Sequence, residues 1–109
     1  MPKRIEYNKL VRDRIPEIIE ADGREYGIKV MDDAEYKQAL LTKLIEEAQE
    51  VATADSDDER IKELADLQEV LDSIVTAFEI SGDDIQKRQT ERRQERGGFQ
   101  KRIKLLWTQ

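Results

Sequence analysis

Between Asp32 and Ile80 the chain carries apolar side chains at helical spacing in two runs, separated by the polar stretch Asp55-Ser56-Asp57-Asp58. This pattern constrains the fold more than any other feature. Two long amphipathic helices joined by so short a turn predict an antiparallel hairpin and an all-α fold. The first should start from a cap at Asp32 or Asp33 and run to about Ala54. The second should run from about Asp58 to Ile80.

Each run carries acids where core residues are expected. Glu47 and Glu50 are three apart in Glu46-Glu47-Ala48-Gln49-Glu50, and Glu63 and Asp66 are three apart in Glu63-Leu64-Ala65-Asp66. Residues so spaced are neighbours on a helix surface. With Leu64 at zero on the second wheel, Leu67, Leu71, Ile74, Val75 and Phe78 fall between about 280° and 20°, and Val70 near 240°. Glu63 falls near 260° and Asp66 near 200°, within and beside that arc. With Leu44 at zero, Leu40, Ala48 and Val51 lie within about 40°, flanked by Glu47 at about 300° and Glu50 at about 240°. A single Glu at such a place can reach past the core into water. Two spaced pairs on adjacent helices weigh against that, because buried acids without a cation are rare. Four converging carboxylates suit Mg²⁺, or Mn²⁺.

Composition narrows the chemistry. The 109 residues suffice for one domain, residues 1–109. With no Cys and no His, the chain has no thiolate nucleophile, Ser-His pair or usual zinc site. Carboxylates, Lys, Arg, Tyr and a metal-activated water are what remain. No apolar run reaches membrane-span length. Met1-Pro2-Lys3-Arg4 is not followed by an apolar segment, so neither a secretory leader nor a membrane partner is expected, and a cytoplasmic address follows by default. Charge is uneven: residues 1–86 hold 11 basic and 23 acidic side chains, and residues 87–109 hold 8 and 2.

A short helix is expected near Ile15-Pro16, stopping at Gly23. Glu25–Met31 is ambiguous between strand and loop. Ser81-Gly82-Asp83-Asp84 should cap a helix running from about Asp84 to Arg96 and ended by Gly97-Gly98. Phe99–Trp107 reads as a short extended C-terminal segment.

The order Glu-Glu-x-x-Glu, twelve residues, Glu-x-x-Asp resembles the metal motif of the MazG-like all-α nucleotide pyrophosphohydrolases, a superfamily that includes phosphoribosyl-ATP pyrophosphohydrolases and dimeric dUTPases. The opening Tyr7-Asn8-Lys9-Leu10-Val11-Arg12-Asp13-Arg14-Ile15-Pro16 and the ending Lys87…Arg96-Gly97-Gly98-Phe99 are similar to a small single-domain branch of it. The resemblance implies a helical bundle with Glu47, Glu50, Glu63 and Asp66 as metal ligands and Glu46 at the metal or a water beside it. It also implies Mg²⁺-dependent hydrolysis of a nucleoside triphosphate at the α–β linkage, giving a nucleoside monophosphate and pyrophosphate. House-cleaning of noncanonical nucleotides is the substrate class suggested; phosphoribosyl-ATP is the alternative.

Such chemistry relies on charge neutralisation and positioning. Lys9, Arg12 and Arg14 in the opening segment, and Lys87 and Arg96 in the closing one, are the candidates for binding substrate phosphate. For the base, Tyr7, Tyr36, Phe78, Phe99 and Trp107 can stack and Asn8 can read an edge; each can equally serve packing or a turn. The apolar arc of the second long helix spans roughly 180°, wider than the usual stripe of about 100°. It predicts a homodimer or a homotetramer of dimers. The competing reading is a helical dimer without enzyme activity whose basic tail binds nucleic acid or a protein. The overall acidity of the chain opposes nucleic acid.

Overall fold

A computed structural model describes residues 3–109. The protein is all-α, with four helices in the order α1 (Ile15–Ala21), α2 (Asp33–Thr53), α3 (Asp57–Ala77) and α4 (Gly82–Arg96). Among the described residues there is no strand, so Glu25–Met31 is loop, and no helix is long and apolar enough to cross a membrane. The chain divides into two compact units, Met1–Phe78 and Glu79–Gln109.

In the first unit, Pro16 occupies the first turn of α1, where its missing N–H would have no partner in any case. Gly23, at φ 73°, ends the helix. The Gly23 N–H donates to Glu20 O and the Arg24 N–H to Ile19 O, the paired bonds of a left-handed helix end. Asp32 caps α2 by accepting from Glu35 N–H at 2.8 Å. Ser56 caps α3 by accepting from Glu59 N–H at 3.1 Å. Glu59 returns a carboxylate oxygen to Asp55 N–H at 3.0 Å, and Arg60 donates to Ala54 O at 2.8 Å. The turn between the long helices is thus held by side chains that also start α3, which fixes where the second helix leaves the first.

α2 and α3 pack against each other as the expected antiparallel hairpin. Leu40 and Val70 are the buried apolar residues, at 2% and 8% exposure. They are equidistant in sequence from Asp55, as are Glu47 and Glu63; antiparallel pairing therefore sets each couple face to face. On α3 the seam takes in Val70 as its buried residue, with Leu67, Ile74 and Phe78 half-buried, while Leu64 and Leu71, on the side of the arc away from Val70, remain exposed.

The second unit holds α4, capped by Ser81 accepting from Asp84 N–H at 3.4 Å. Asp83 and Asp84 sit in its first turn and Arg93 and Arg96 in its last, charges that match the helix dipole at both ends. Gly97, at φ 80°, ends the helix. The C-terminal segment differs from the reading of its alternation. A turn closes between Phe99 and Arg102, with Arg102 N–H donating to Phe99 O at 3.1 Å. Any alternation therefore starts after Arg102, and residues 103–109 form no helix or strand.

Candidate metal and phosphate site

Helix α2 presents Glu47 one turn after Lys43, and α3 presents Glu63 and Asp66 on adjoining turns. One carboxylate oxygen from each of Glu47, Glu63 and Asp66 lies within 4.8 Å of the others. Three oxygens so close are a usable set for a hard cation at bond lengths of about 2.1 Å. Glu47 is buried and the other two are half-buried. Glu50, the fourth residue of the expected set, is exposed and stands outside this group of three, although its charge still acts on Glu63.

Two of the three acids have a cationic neighbour. Lys43 Nζ lies 3.4 Å from Glu47 and 3.8 Å from Glu46. Arg12 donates from Nη2 to Asp66 Oδ1 at 2.8 Å. Among the described residues Glu63 has no ion pair. Its pKa is raised from the ordinary carboxylate value, first by partial burial, then by the charges of Glu50, Asp66 and Glu47, with Lys62 a weak opposing influence. The cluster thus holds one acid whose ionisation is resisted by every other member, the arrangement a divalent cation would relieve.

The opening segment brings two of its three bases to the acids. Lys9 Nζ lies 3.8 Å from Glu46 and 5.9 Å from the Tyr7 ring centroid, while Arg12 reaches Asp66. Arg14 turns instead to Glu17, at 3.1 Å, on the first turn of α1. Asn8 has φ 47°, a backbone state Asn tolerates well, so its position answers to the turn. Lys87 and Arg96 belong to the second unit. There Lys87 is exposed beside Asp84, Arg88 and Glu91 around a surface depression, and Arg96 is in the last turn of α4. Of the aromatic candidates, Tyr36 and Phe78 are half-buried, and Phe78 is faced by Lys37 Nζ at 5.4 Å. Tyr7, Phe99 and Trp107 are exposed.

Lys43 is the site residue the sequence reading overlooks. Its signal is the four-residue spacing to Glu47, which puts unlike charges one turn apart on the same helix.

Comparison with known proteins adds one relative. Over 50 residues the chain is 52% identical to an uncharacterized protein of Mycolicibacterium smegmatis (strain ATCC 700084 / mc(2)155), covering 46% of this chain and 51% of the relative. The chain therefore spans about half the length of the curated relative it matches. No family model matches the chain, and no solved structure matches it.

Proposed function

We propose that the protein is a Mg²⁺-dependent nucleotide pyrophosphohydrolase of the MazG-like kind. The observation that carries this reading is the convergence of Glu47, Glu63 and Asp66 within 4.8 Å beside two bases from the opening segment. The motif resemblance at Glu46–Glu50 and Glu63–Asp66 supports it. Glu47, Glu63 and Asp66 would hold the ion, with Glu50 at its edge; Mn²⁺ suits the same oxygens. When bound, the ion would offset phosphate charge and acidify a water.

The chain's own groups then have distinct tasks. Arg12, now on Asp66, would be the base nearest to hand for a substrate phosphate. Lys9 stands one side chain away, on Glu46. Arg14 on α1, and Lys87 and Arg96 on α4, remain candidates for the outer phosphates. Glu46, held between Lys9 and Lys43, can orient a water and accept a proton from it. Overall, the water oxygen forms a bond to the α-phosphorus, the bond from that phosphorus to the α–β bridging oxygen breaks, and pyrophosphate leaves. Noncanonical nucleoside triphosphates are the substrate class proposed, with phosphoribosyl-ATP the alternative. A cytoplasmic location belongs to this reading. So does assembly into a homodimer, or a tetramer of dimers, through the apolar face that α3 leaves uncovered.

The test is release of pyrophosphate from a panel of triphosphates, dUTP and damaged-base nucleotides included, with and without Mg²⁺. Pyrophosphate from none of them, together with no change of melting temperature in millimolar Mg²⁺, would instead support a helical scaffold that binds another macromolecule.

A further inference from the structure

Among the described residues Lys9, Arg12 and Lys43 pair with the acids of the candidate site, and they are not held alike. Lys9 and Arg12 reach it from the opening segment, with side chains 45% and 57% exposed. Charges so open to water act weakly on their neighbours. Lys43 stands on α2 itself, one turn before Glu47, and its side chain is only 20% exposed. The helix that places Glu47 therefore also places Lys43, and of the three charges this one is the least screened.

The ammonium group lies 3.4 Å from a Glu47 carboxylate oxygen and 3.8 Å from one of Glu46. Both distances exceed the roughly 2.7–2.9 Å of a tight charged hydrogen bond. Lys43 thus stands between two carboxylates without close bonding to either, and it acts there as a point charge. Loss of so loose a pair should cost α2 little, since Leu40 is buried and Asp32 caps the start of the helix.

This placement has opposite consequences for two kinds of visitor. A bare divalent cation approaching Glu47, Glu63 and Asp66 meets an ammonium beside one of its ligands and is repelled by it. A divalent cation that already carries a phosphate chain is a net anion, and the same ammonium attracts it. Without a fixed cation, the acids would load with bare ion and turn the phosphate chain away.

We propose that Lys43 makes the acid cluster discriminate between the two, disfavouring the bare ion and favouring the ion that arrives with its phosphates. Lys43 is then a positioning residue that works through the charge at Glu46 and Glu47. The inference rests on the nucleotide reading above and adds to it the form in which the ion is taken up.

Lys43→Met removes the charge and keeps an apolar stem, and Lys43→Arg keeps the charge. Calorimetry reads the binding of Mg²⁺ alone, then of inorganic tripolyphosphate with just enough Mg²⁺ to saturate it, a probe that needs no base. Lys43→Met should bind Mg²⁺ alone several-fold more tightly and the Mg²⁺–tripolyphosphate complex several-fold more weakly, with helix content by circular dichroism unchanged. Lys43→Arg should follow the wild type with both probes. The opposite signs are the signature, because a side chain that merely props Glu47 would shift both affinities the same way. Shifts of like sign, no shift, or an Arg variant that behaves as the Met variant would overturn the proposal. So would wild-type protein that binds Mg²⁺ alone and not the complex. Wild-type protein that binds neither probe would sink the nucleotide reading and this inference together. Wild-type protein that binds both, beside an unaltered Lys43→Met variant, would sink this inference alone.

Discussion

Arg12 and Asp66 are joined by a 2.8 Å charged hydrogen bond, which ties the opening segment to the middle of α3 and occupies an oxygen-bearing member of the acid cluster. In the proposed reaction Arg12 would be the base nearest to hand for a substrate phosphate. Arg12→Ala should therefore leave Mg²⁺ affinity equal or higher and raise the KM for nucleotide by about tenfold, the weight of a charged hydrogen bond. Calorimetry with Mg²⁺ alone and with a nonhydrolysable nucleotide separates the two effects. Because both side chains are partly exposed, loss of fold stability should stay below about 1 kcal/mol.

Glu63 gives a pH signature. Its folded pKa is raised above the unfolded value, so the folded chain holds the proton more tightly. The ion-free protein should carry no penalty from Glu63 below the unfolded pKa. It should lose stability as pH rises from there through the folded pKa, and stay at the lower value above it. Glu63→Gln should remove that slope, raise the melting temperature of the ion-free protein at neutral pH, and abolish turnover. Mg²⁺ binding to the wild type should release protons and tighten with pH over the same window. Melting curves from pH 4 to pH 8 with chelator present check the first part.

Glu47 and Glu50 should not be equivalent. Glu47 is buried, within reach of Glu63, Asp66 and Lys43, whereas Glu50 is exposed and outside the group of three. Glu47→Gln should lower Mg²⁺ affinity at least tenfold more than Glu50→Gln, and Lys43 should be left with Glu46 alone in the same variant. Equal losses in titrations of the two variants would mean that the ion sits nearer Glu50 than the carboxylate convergence indicates.

The core of the first unit is thin, so its buried apolar residues should be costly to truncate. Leu40→Ala should destabilise the hairpin by about 2–5 kcal/mol, the range for a buried leucine. Leu41→Ala, one residue on and exposed, should change it by less than about 1 kcal/mol. Urea denaturation of both variants at equal protein concentration tests the contrast, and an equal loss from Leu41→Ala would place that residue in an interface.

Lys87 and Arg96 carry the phosphate reading for α4. Lys87→Ala and Arg96→Ala should weaken nucleotide binding several-fold and leave Mg²⁺ binding nearly unchanged. Unaltered nucleotide affinity in both would remove α4 from the substrate site.

Much of the fold follows from local rules that act over a few residues. Pro16 and Gly23 bound α1, Asp32 starts α2, Ser56 starts α3, and Ser81 and Gly97 bound α4, because caps and breakers satisfy backbone groups near themselves in sequence. The hairpin and the facing of Glu47 and Glu63 were also legible, since a short turn and helical spacing together leave one antiparallel register. What only the tertiary structure decided is which side of each helix meets the other. The wheel makes Leu64, Leu67, Val70 and Leu71 members of one apolar arc, yet the seam buries Val70 and leaves Leu64 and Leu71 exposed. An apolar arc of about 180° is wider than one helix can cover, so its own pattern does not choose an edge. The same holds for partner selection. Lys9, Arg12 and Arg14 are alike in sequence, but only the path of the backbone gives Arg12 to Asp66 and Arg14 to Glu17. Charge in a sequence is a sum, whereas an ion pair is a distance that the folded chain sets.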